Sequence, residues 1–482
     1  MTDLNSSRPV EDDRHVPFSI LDTDLYKLTM QQAVFQQFHN STSEYRFTNR
    51  SPEMLFSRKT FQWVKVQVGY LKNLHLTTPE REYLHQTCPY FQPAYLDYLE
   101  NLRLHPDEQV TVDFVLKKRA DRAQDGDGAG EEGGGNQDQA DEEDLGLIEL
   151  GVKGLWRECI LYEVPLMAIL SEGYFLHTVP HQWHSSPVQT RELASTKAYR
   201  LLSGSSGNLA FSEFGTRRRR SYEVQKEVVE GLREGEERYW NEVGGRGGKK
   251  GGLVGTSNVH FAMMFGMKPV GTIAHEWIMA VGAKQDYVDP NGTAMDLWEK
   301  VYPASAASPL HTMLTDTYTV DVFFREFLSD PDRASRWNAL RHDSGDPIDF
   351  ARQARKTWDE IARKRGEEDQ MGKVGRVIFS DGLDVDEALR IWKECEKIGI
   401  NASFGIGTHL TNDFHMIDDP NTKSKPLNMV IKLRKMDGME CVKLSDDRGK
   451  WTGDKGEVQR CRRILGLAGD ELEGGQEAPG MT

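Results

Sequence analysis

Cysteine is scarce in this chain. Five residues in 482, Cys88, Cys159, Cys395, Cys441 and Cys461, stand far apart and form no CxxC pair. That spacing argues against a thiolate zinc site, and an odd, sparse set fits a reducing compartment better than a disulfide framework. No secretion leader is expected either, since MTDLNSSRPVEDDRHVP carries acids where a basic and then apolar run would be needed. No unbroken apolar stretch reaches the roughly 20 residues that cross a bilayer. Excess positive charge is absent too, with 60 Lys and Arg against 75 Asp and Glu, a net −15. Two segments hold most of that imbalance. Residues 120–144 contain ten acids and one arginine, and residues 467–482 contain four acids and no base. The remaining body is close to neutral and has no basic stripe, which speaks against nucleic acid as a partner. The expectation is a soluble, cytoplasmic protein, with the nucleus also open to it, and no membrane partner.

What is present is a long alternating pattern. At this length one large domain with a smaller companion is the natural division. RADRAQDGDGAGEEGGGNQDQADEED has no apolar residue larger than alanine and cannot offset its ordering entropy, so it reads as a disordered insertion. GGRGGKKGG (244–252) reads as a flexible loop. From Glu163 onward, short apolar runs end in polar clusters and are followed by amphipathic helices. The runs are VPLMAIL, LAFSEFG, GLVGTSN, PVGTIAHEW, TMLTDTYTVD, NALRHDSGDP, VIFSDGLD and ASFGIGTHL. Eight such units predict parallel strands joined by right-handed crossovers and, at that number, a closed (β/α) barrel, an α/β fold. EYRFTNR and EQVTVDFVLK before it, and LNMVIKLRKM and ECVKLSDDRGKWTG after it, alternate like antiparallel strands, so the two ends should meet in a second α+β domain. The resulting division is a disordered 1–16, an α+β part at 17–118, the insertion at 119–146, the barrel at 147–413, returning strands at 414–466 and an acidic disordered tail at 467–482.

In a barrel of this kind the site lies at the C-terminal ends of the strands. The polar clusters fall there: Glu213 and Arg217, Thr256 and Ser257, Thr272 and His275, Asp316, Arg341 and Asp343, Ser380 and Asp381, and Gly405 to Thr408. His275 taken alone is an ordinary core histidine; its place at a strand end makes it a candidate for chemistry. Gly405, Gly407 and Thr408 let backbone N–H groups approach an anion, and Ser380, Asp381 and Gly382 repeat the idea one unit earlier. Arg341 can clamp a carboxylate or phosphate, and Asp343 can meet Mg²⁺ or ribose hydroxyls. Asp346 before Pro347 reads as a helix cap. In the run Arg217–Arg220 most residues should be solvated, with Arg217 nearest the pocket. Together these features suggest a phosphorylated sugar substrate with magnesium.

LDTDLYKLTM, EFGTRRR, GTSNVHFA, GTIAHEW, LTDTYTVDVFF, RHDSGDP, FSDGLD and FGIGTHLTND occur in one order over nearly the whole chain. In that order they resemble the nicotinate phosphoribosyltransferase family, type II phosphoribosyltransferases of NAD salvage. The resemblance implies transfer of phosphoribose from phosphoribosyl pyrophosphate to nicotinate, coupled to ATP as co-substrate through a phosphohistidine at His275, with Mg²⁺ as cofactor. It implies that Arg341 meets the nicotinate carboxylate, that Tyr26 and Thr272 contact nicotinate, with Phe214 and Arg217 beside them, and that Gly405, Gly407 and Thr408 cradle the 5-phosphate. Asp381 and Gly382 fall to the ribose or magnesium, and Asp343 to the same region. Glu276 or Asp343 would orient the His275 ring. Small molecules are the expected partners, in a homodimer or a monomer, with Tyr26 acting in trans or in cis. Rival readings are a nicotinamide- or quinolinate-using transferase, a metal-dependent barrel hydrolase, which would want an HxH absent here (His181 and His184 are spaced HxxH), and a barrel that only binds.

Overall fold

The computed structural model describes residues 15–119, 144–179, 183, 185–271, 273–303, 310–373, 375–447 and 450–467. Most of the acidic insertion, the acidic tail from 468, the first 14 residues, Thr272, His181 and His184 lie outside that set. In chain order, β1 (Thr42–Asn49), β2 (Phe56–Ser57), β3 (Val110–Lys118) and β4 (Leu145–Leu155) come first. Then come β5 (Ala210–Glu213), β6 (Gly252–Thr256), β7 (Lys268–Pro269), β8 (Thr312–Leu314), β9 (Ala339–His342), β10 (Arg376–Phe379) and β11 (Asn401–Ile406). β12 (Met429–Met436) and β13 (Met439–Glu440) follow.

β5 to β11 form one parallel sheet in the order β7-β6-β5-β11-β10-β9-β8. Each crossover carries helix, as the alternating pattern requires: Tyr222–Glu242 after β5, Pro347–Arg365 after β9 and Val385–Ile398 after β10. The sheet curls into a barrel-like half. Seven of the eight expected strands are present, and among the described residues no ladder joins β7 to β8. The eighth is a correction. VPLMAIL belongs to the helix Glu163–Gly173, with Pro165 in its first turn, and every residue from Val164 to Leu170 is buried. An apolar run buried on all sides shows neither the strand nor the helix period, so periodicity alone cannot assign it. The longer helical run Trp156–Thr178 is apolar enough to attract notice as a membrane span, but it lies mostly inside the fold.

The second sheet joins the two ends of the chain. β1 pairs antiparallel with β4 on one side and with β12 on the other, Phe47 opposite Ile431, and β13 extends the edge beyond β12. Tyr45, Phe47, Ile431 and Leu433 turn inward from this sheet, and the helix Leu25–Gln37 lies buried along its whole first two turns. One continuous core, including Trp156, Trp277, Trp298 and Trp337, underlies both sheets. The five cysteines are free and buried in it.

Candidate active site

Registers in the parallel sheet align the strand ends. Glu213 lies opposite Thr256 and Ile406, Phe379 opposite Phe404 and His342, and Leu314 opposite Arg341. The residues following each strand therefore emerge on one edge. The N-terminal segment is tied to that edge: Leu25 N–H donates to Ser257 O (2.8 Å) and Ser257 Oγ to Asp24 (2.7 Å). Gly271 lies so close to the start of the helix Leu25–Gln37 that a Cβ there would stand 2.8 Å from the Tyr26 nitrogen. The GTIAH loop and Tyr26 are thus in direct contact.

His275 opens the helix His275–Lys284 and is half-buried. Its Nδ1 lies 2.9 Å from Thr317 Oγ1. Its Nε2 lies 2.8 Å from Lys443 Nζ, 3.3 Å from Asp343 Oδ2 and 3.7 Å from Asp316 Oδ1. Lys443 also meets Asp316 Oδ2 at 2.9 Å, and Ser344 Oγ donates to the same oxygen at 2.8 Å. An ammonium donating to Nε2 leaves the ring proton on Nδ1, where Thr317 can accept it. Burial lowers the imidazole pKa, and Lys443 lowers it further against the opposing pull of Asp316 and Asp343. The resting ring is neutral. Burial alone would raise Asp343, but the Arg341 guanidinium, with the Lys443 ammonium beyond it, holds it well below the usual carboxylate range.

Asp343 joins two parts of the site. Its Oδ1 accepts from Arg341 Nη2 (3.0 Å) and Ser380 Oγ (2.8 Å), while Oδ2 faces His275. Arg341 Nε also reaches Ser380 Oγ at 2.7 Å. Of the two carboxylates that could orient the ring, Asp343 is in place and Glu276 is not. Glu276 turns into the core toward Lys27, Tyr45 and Trp156. Asp316, Asp343 and His275 each bring one donor atom within 4.8 Å of the others, the one such group of three among the described residues.

At the other end of the site, Tyr26 is buried, its hydroxyl has no hydrogen-bond partner, and the Arg217 guanidinium lies 5.9 Å over its ring. Arg217 also faces Glu163 (3.4 Å) and Asp24 (3.9 Å). Phe214 packs on Gly405, where a Cβ would stand 2.3 Å from the ring, and its carbonyl oxygen approaches Gly407. Thr408 begins the short helix Thr408–Thr411 directly after Gly407. Asp381 and Gly382 stand exposed at the rim, with Gly382 at φ +59°. Thr272 lies outside the described residues.

The arginine run departs from its expected solvation. Arg219 is fully buried and bridges both oxygens of Asp22 (2.7 and 2.8 Å), while Arg220 is buried among Phe175, Trp183 and Phe414. Facing aromatic rings and a buried carboxylate replace water for these cations. Glu213 and Thr256, polar strand-end residues, bond one another at 2.6 Å; Glu213 also takes the Gly215 N–H (2.5 Å), which fixes the turn that carries Phe214. Asp346 is the helix cap expected of it, accepting from Ile348 and Asp349 N–H at 2.8 Å. Lys443 was not legible as a site residue; its segment, ECVKLSDD, shows only a strand-like pattern. Nor was Lys432, whose pKa is pushed down to about 7 by burial and then by Lys443 and Arg50. These cations collect beside the acidic cluster.

Comparison with known proteins identifies the family to which this fold belongs. Residues 209–468 match the nicotinate phosphoribosyltransferase (NAPRTase) family, and residues 21–121 match the N-terminal domain of that family. The nicotinate phosphoribosyltransferase of Saccharomyces cerevisiae is 36% identical over 96% of this chain and 98% of its own length. That of Desulforapulum autotrophicum is 37% identical over 93% and 98%. A crystal structure from Saccharomyces cerevisiae, of a protein assigned to the same activity, superposes with a TM-score of 0.80 at 35% identity, covering 94% of this chain and 99% of the other. The chain belongs to the nicotinate phosphoribosyltransferase family.

Proposed function

We propose that this chain forms nicotinate mononucleotide from nicotinate and phosphoribosyl pyrophosphate, releasing pyrophosphate, as a step of NAD salvage, and that it couples the transfer to ATP through a phosphohistidine at His275. The observation that carries the reading is the setting of His275. A neutral imidazole stands between two carboxylates, a lysine and a threonine, on the edge that also holds Arg341 and the Gly405–Thr408 turn.

Neutral Nε2 is a nucleophile for the γ-phosphorus of ATP: an N–P bond forms as the bond to the ADP oxygen breaks, and ADP leaves. Thr317 Oγ1 accepts a hydrogen bond from the Nδ1–H, which stays on the ring, and steadies it as positive charge develops. Lys443, already beside Nε2, follows the incoming phosphoryl group as its counter-ion. Nicotinate lies with its ring against Tyr26 and Phe214 and its carboxylate toward Arg341, while the 5-phosphate takes the N–H groups of Gly407 and Thr408. The sugar reacts through an oxocarbenium-like state that needs positioning more than covalent help; orientation alone can supply about 7–11 kcal/mol. Oxygen donors suit magnesium, and Asp316 and Asp343, clustered with His275, fit that need. Bound there with the phosphates, the ion would neutralise their charge.

Lys443, Lys432 and Arg50 supply cations for pyrophosphate. Tyr26 lies against the GTIAH loop and under Arg217 of its own chain, which favours its action in cis. The test is transfer of ³²P from γ-labelled ATP to the protein, in acid-labile form, beside nucleotide formation from nicotinate. Label and ATP-stimulated turnover are expected in the wild type and absent in His275→Ala. Product from nicotinamide or quinolinate instead of nicotinate would overturn the substrate, and no product from any of the three would overturn the reaction.

A further inference from the structure

Lys27 has no solvent exposure, yet it follows Tyr26 in the chain, and its ammonium lies 2.5 Å from both Glu163 Oε2 and Glu276 Oε2. Glu276 follows His275. Its other oxygen, Oε1, accepts from Tyr45 Oη (2.5 Å) and Trp156 Nε1 (2.7 Å). Glu163 in turn meets Arg217 at 3.4 Å, and Arg217 lies over Tyr26. One buried network therefore runs from the arginine and tyrosine at the ring end of the site to the residue beside the histidine.

Burying such charges is costly, and replacing a buried ion pair with apolar residues is often neutral or stabilising. Core packing alone gives little reason for a lysine and two glutamates here. Their fixed geometry does. Glu276 receives donors on both oxygens, so it specifies where the first turn of the helix His275–Lys284 sits relative to the helix Leu25–Gln37. We propose that Lys27 and Glu276 form a positioning pair that holds the Tyr26 end and the His275 end of the site in one register, with Glu163 extending the hold to Arg217. Neither residue touches the substrates; each acts through its neighbour in the chain. The proposal rests on the function argued above, since it assigns Tyr26 to nicotinate and His275 to phosphoryl transfer.

Glu276→Gln tests it. A glutamine amide has one acceptor oxygen and one NH2 donor. Whichever way it turns, the NH2 meets a donor, either the Lys27 ammonium or the Tyr45 and Trp156 pair. The helix start must then shift. Glu276→Asp keeps the charge and shortens the reach by one methylene, so it serves where the amide variant does not fold. Full-length wild type and both variants are compared, per folded molecule, for KM of nicotinate, KM of phosphoribosyl pyrophosphate and ³²P bound from ATP. For Glu276→Gln the nicotinate KM should rise and the phosphohistidine level fall together, each on the order of ten-fold, the loss typical of groups that support a site from behind. The KM of phosphoribosyl pyrophosphate should stay within about two-fold, because the network does not reach the Gly405–Thr408 turn. Glu276→Asp should shift both quantities in the same direction by a smaller factor. Variants that melt earlier but keep both values at the wild-type level would reduce the network to a stabilising role and overturn the proposal. If the wild type itself neither takes up label nor uses nicotinate, the function fails and this inference with it; if the wild type does both and the variants match it, the positioning role alone fails.

Discussion

Asp343 shows how much one side chain can connect. One oxygen is shared by Arg341 and Ser380 and the other faces His275, so a single carboxylate fixes both the arginine proposed to hold the nicotinate carboxylate and the histidine proposed to take the phosphoryl group. Replacing it with asparagine removes the charge and opposes Arg341, Ser380 or His275 with an amide donor. Asp343→Asn should lower kcat/KM on the order of 100-fold, the scale of losing one preorganised electrostatic contact, in steady-state assays with nicotinate varied. The pH behaviour of His275 follows from its lowered pKa. An unfolded chain takes up the imidazole proton as pH falls through about 6.5, while the folded chain resists it. The site therefore keeps a neutral imidazole below that pH, as the proposed phosphoryl transfer requires, and the group subtracts stability there because the unfolded state binds more protons. ATP-dependent labelling should persist as pH falls through 6.5, with its acid limb lower; a limb centred at 6.5 or above would contradict the setting described. His275, Arg341 and Asp343 were legible because each sits in a short motif at a strand end. Lys443 was not, since 168 residues separate it from the histidine it touches, and the return of β12 beside β1 together with the Leu444 N–H bond to Thr317 O brings it there.

At the scale of elements, the turn after β11 depends on the absence of a side chain. Phe214 from the β5 turn occupies the space a Gly405 Cβ would need, with its ring 2.3 Å from that point. Gly405→Ala forces the ring or the strand to move, an overpacking cost of about 1–3 kcal/mol. Chemical denaturation should show a lower midpoint, and the KM of phosphoribosyl pyrophosphate should rise as the Gly407–Thr408 segment shifts. The seven parallel strands and their helices were readable because polar ends and amphipathic helices alternate between them. VPLMAIL was not, because a helix buried on every face looks like any other short apolar run. The buried arginines were misread for a related reason: a run of like charges signals solvent unless its partners, here Asp22 and three aromatic rings, are known from elsewhere in the fold.

Over the whole molecule, the meeting of the two chain ends in a second domain was legible from strand alternation at both ends, whereas the lack of a ladder between β7 and β8 among the described residues was not, since repeat counting does not reveal hydrogen bonds. That meeting has a functional corollary. Arg217 lies over Tyr26 and Lys443 meets His275; with Tyr26 acting in cis, as proposed, activity per chain should not change on dilution across any association equilibrium, and a specific activity that falls with concentration, followed together with light scattering, would show that a second copy completes the site.

The same arrangement bears on synthesis. A ribosome delivers His275 long before Lys443, and the sheet that seats this lysine cannot close until β12 has emerged to lie against β1. Until then the nascent chain holds His275 without its cation. Assembly order thus makes the His275–Lys443 contact one of the last to form, after every strand of the parallel sheet has been delivered.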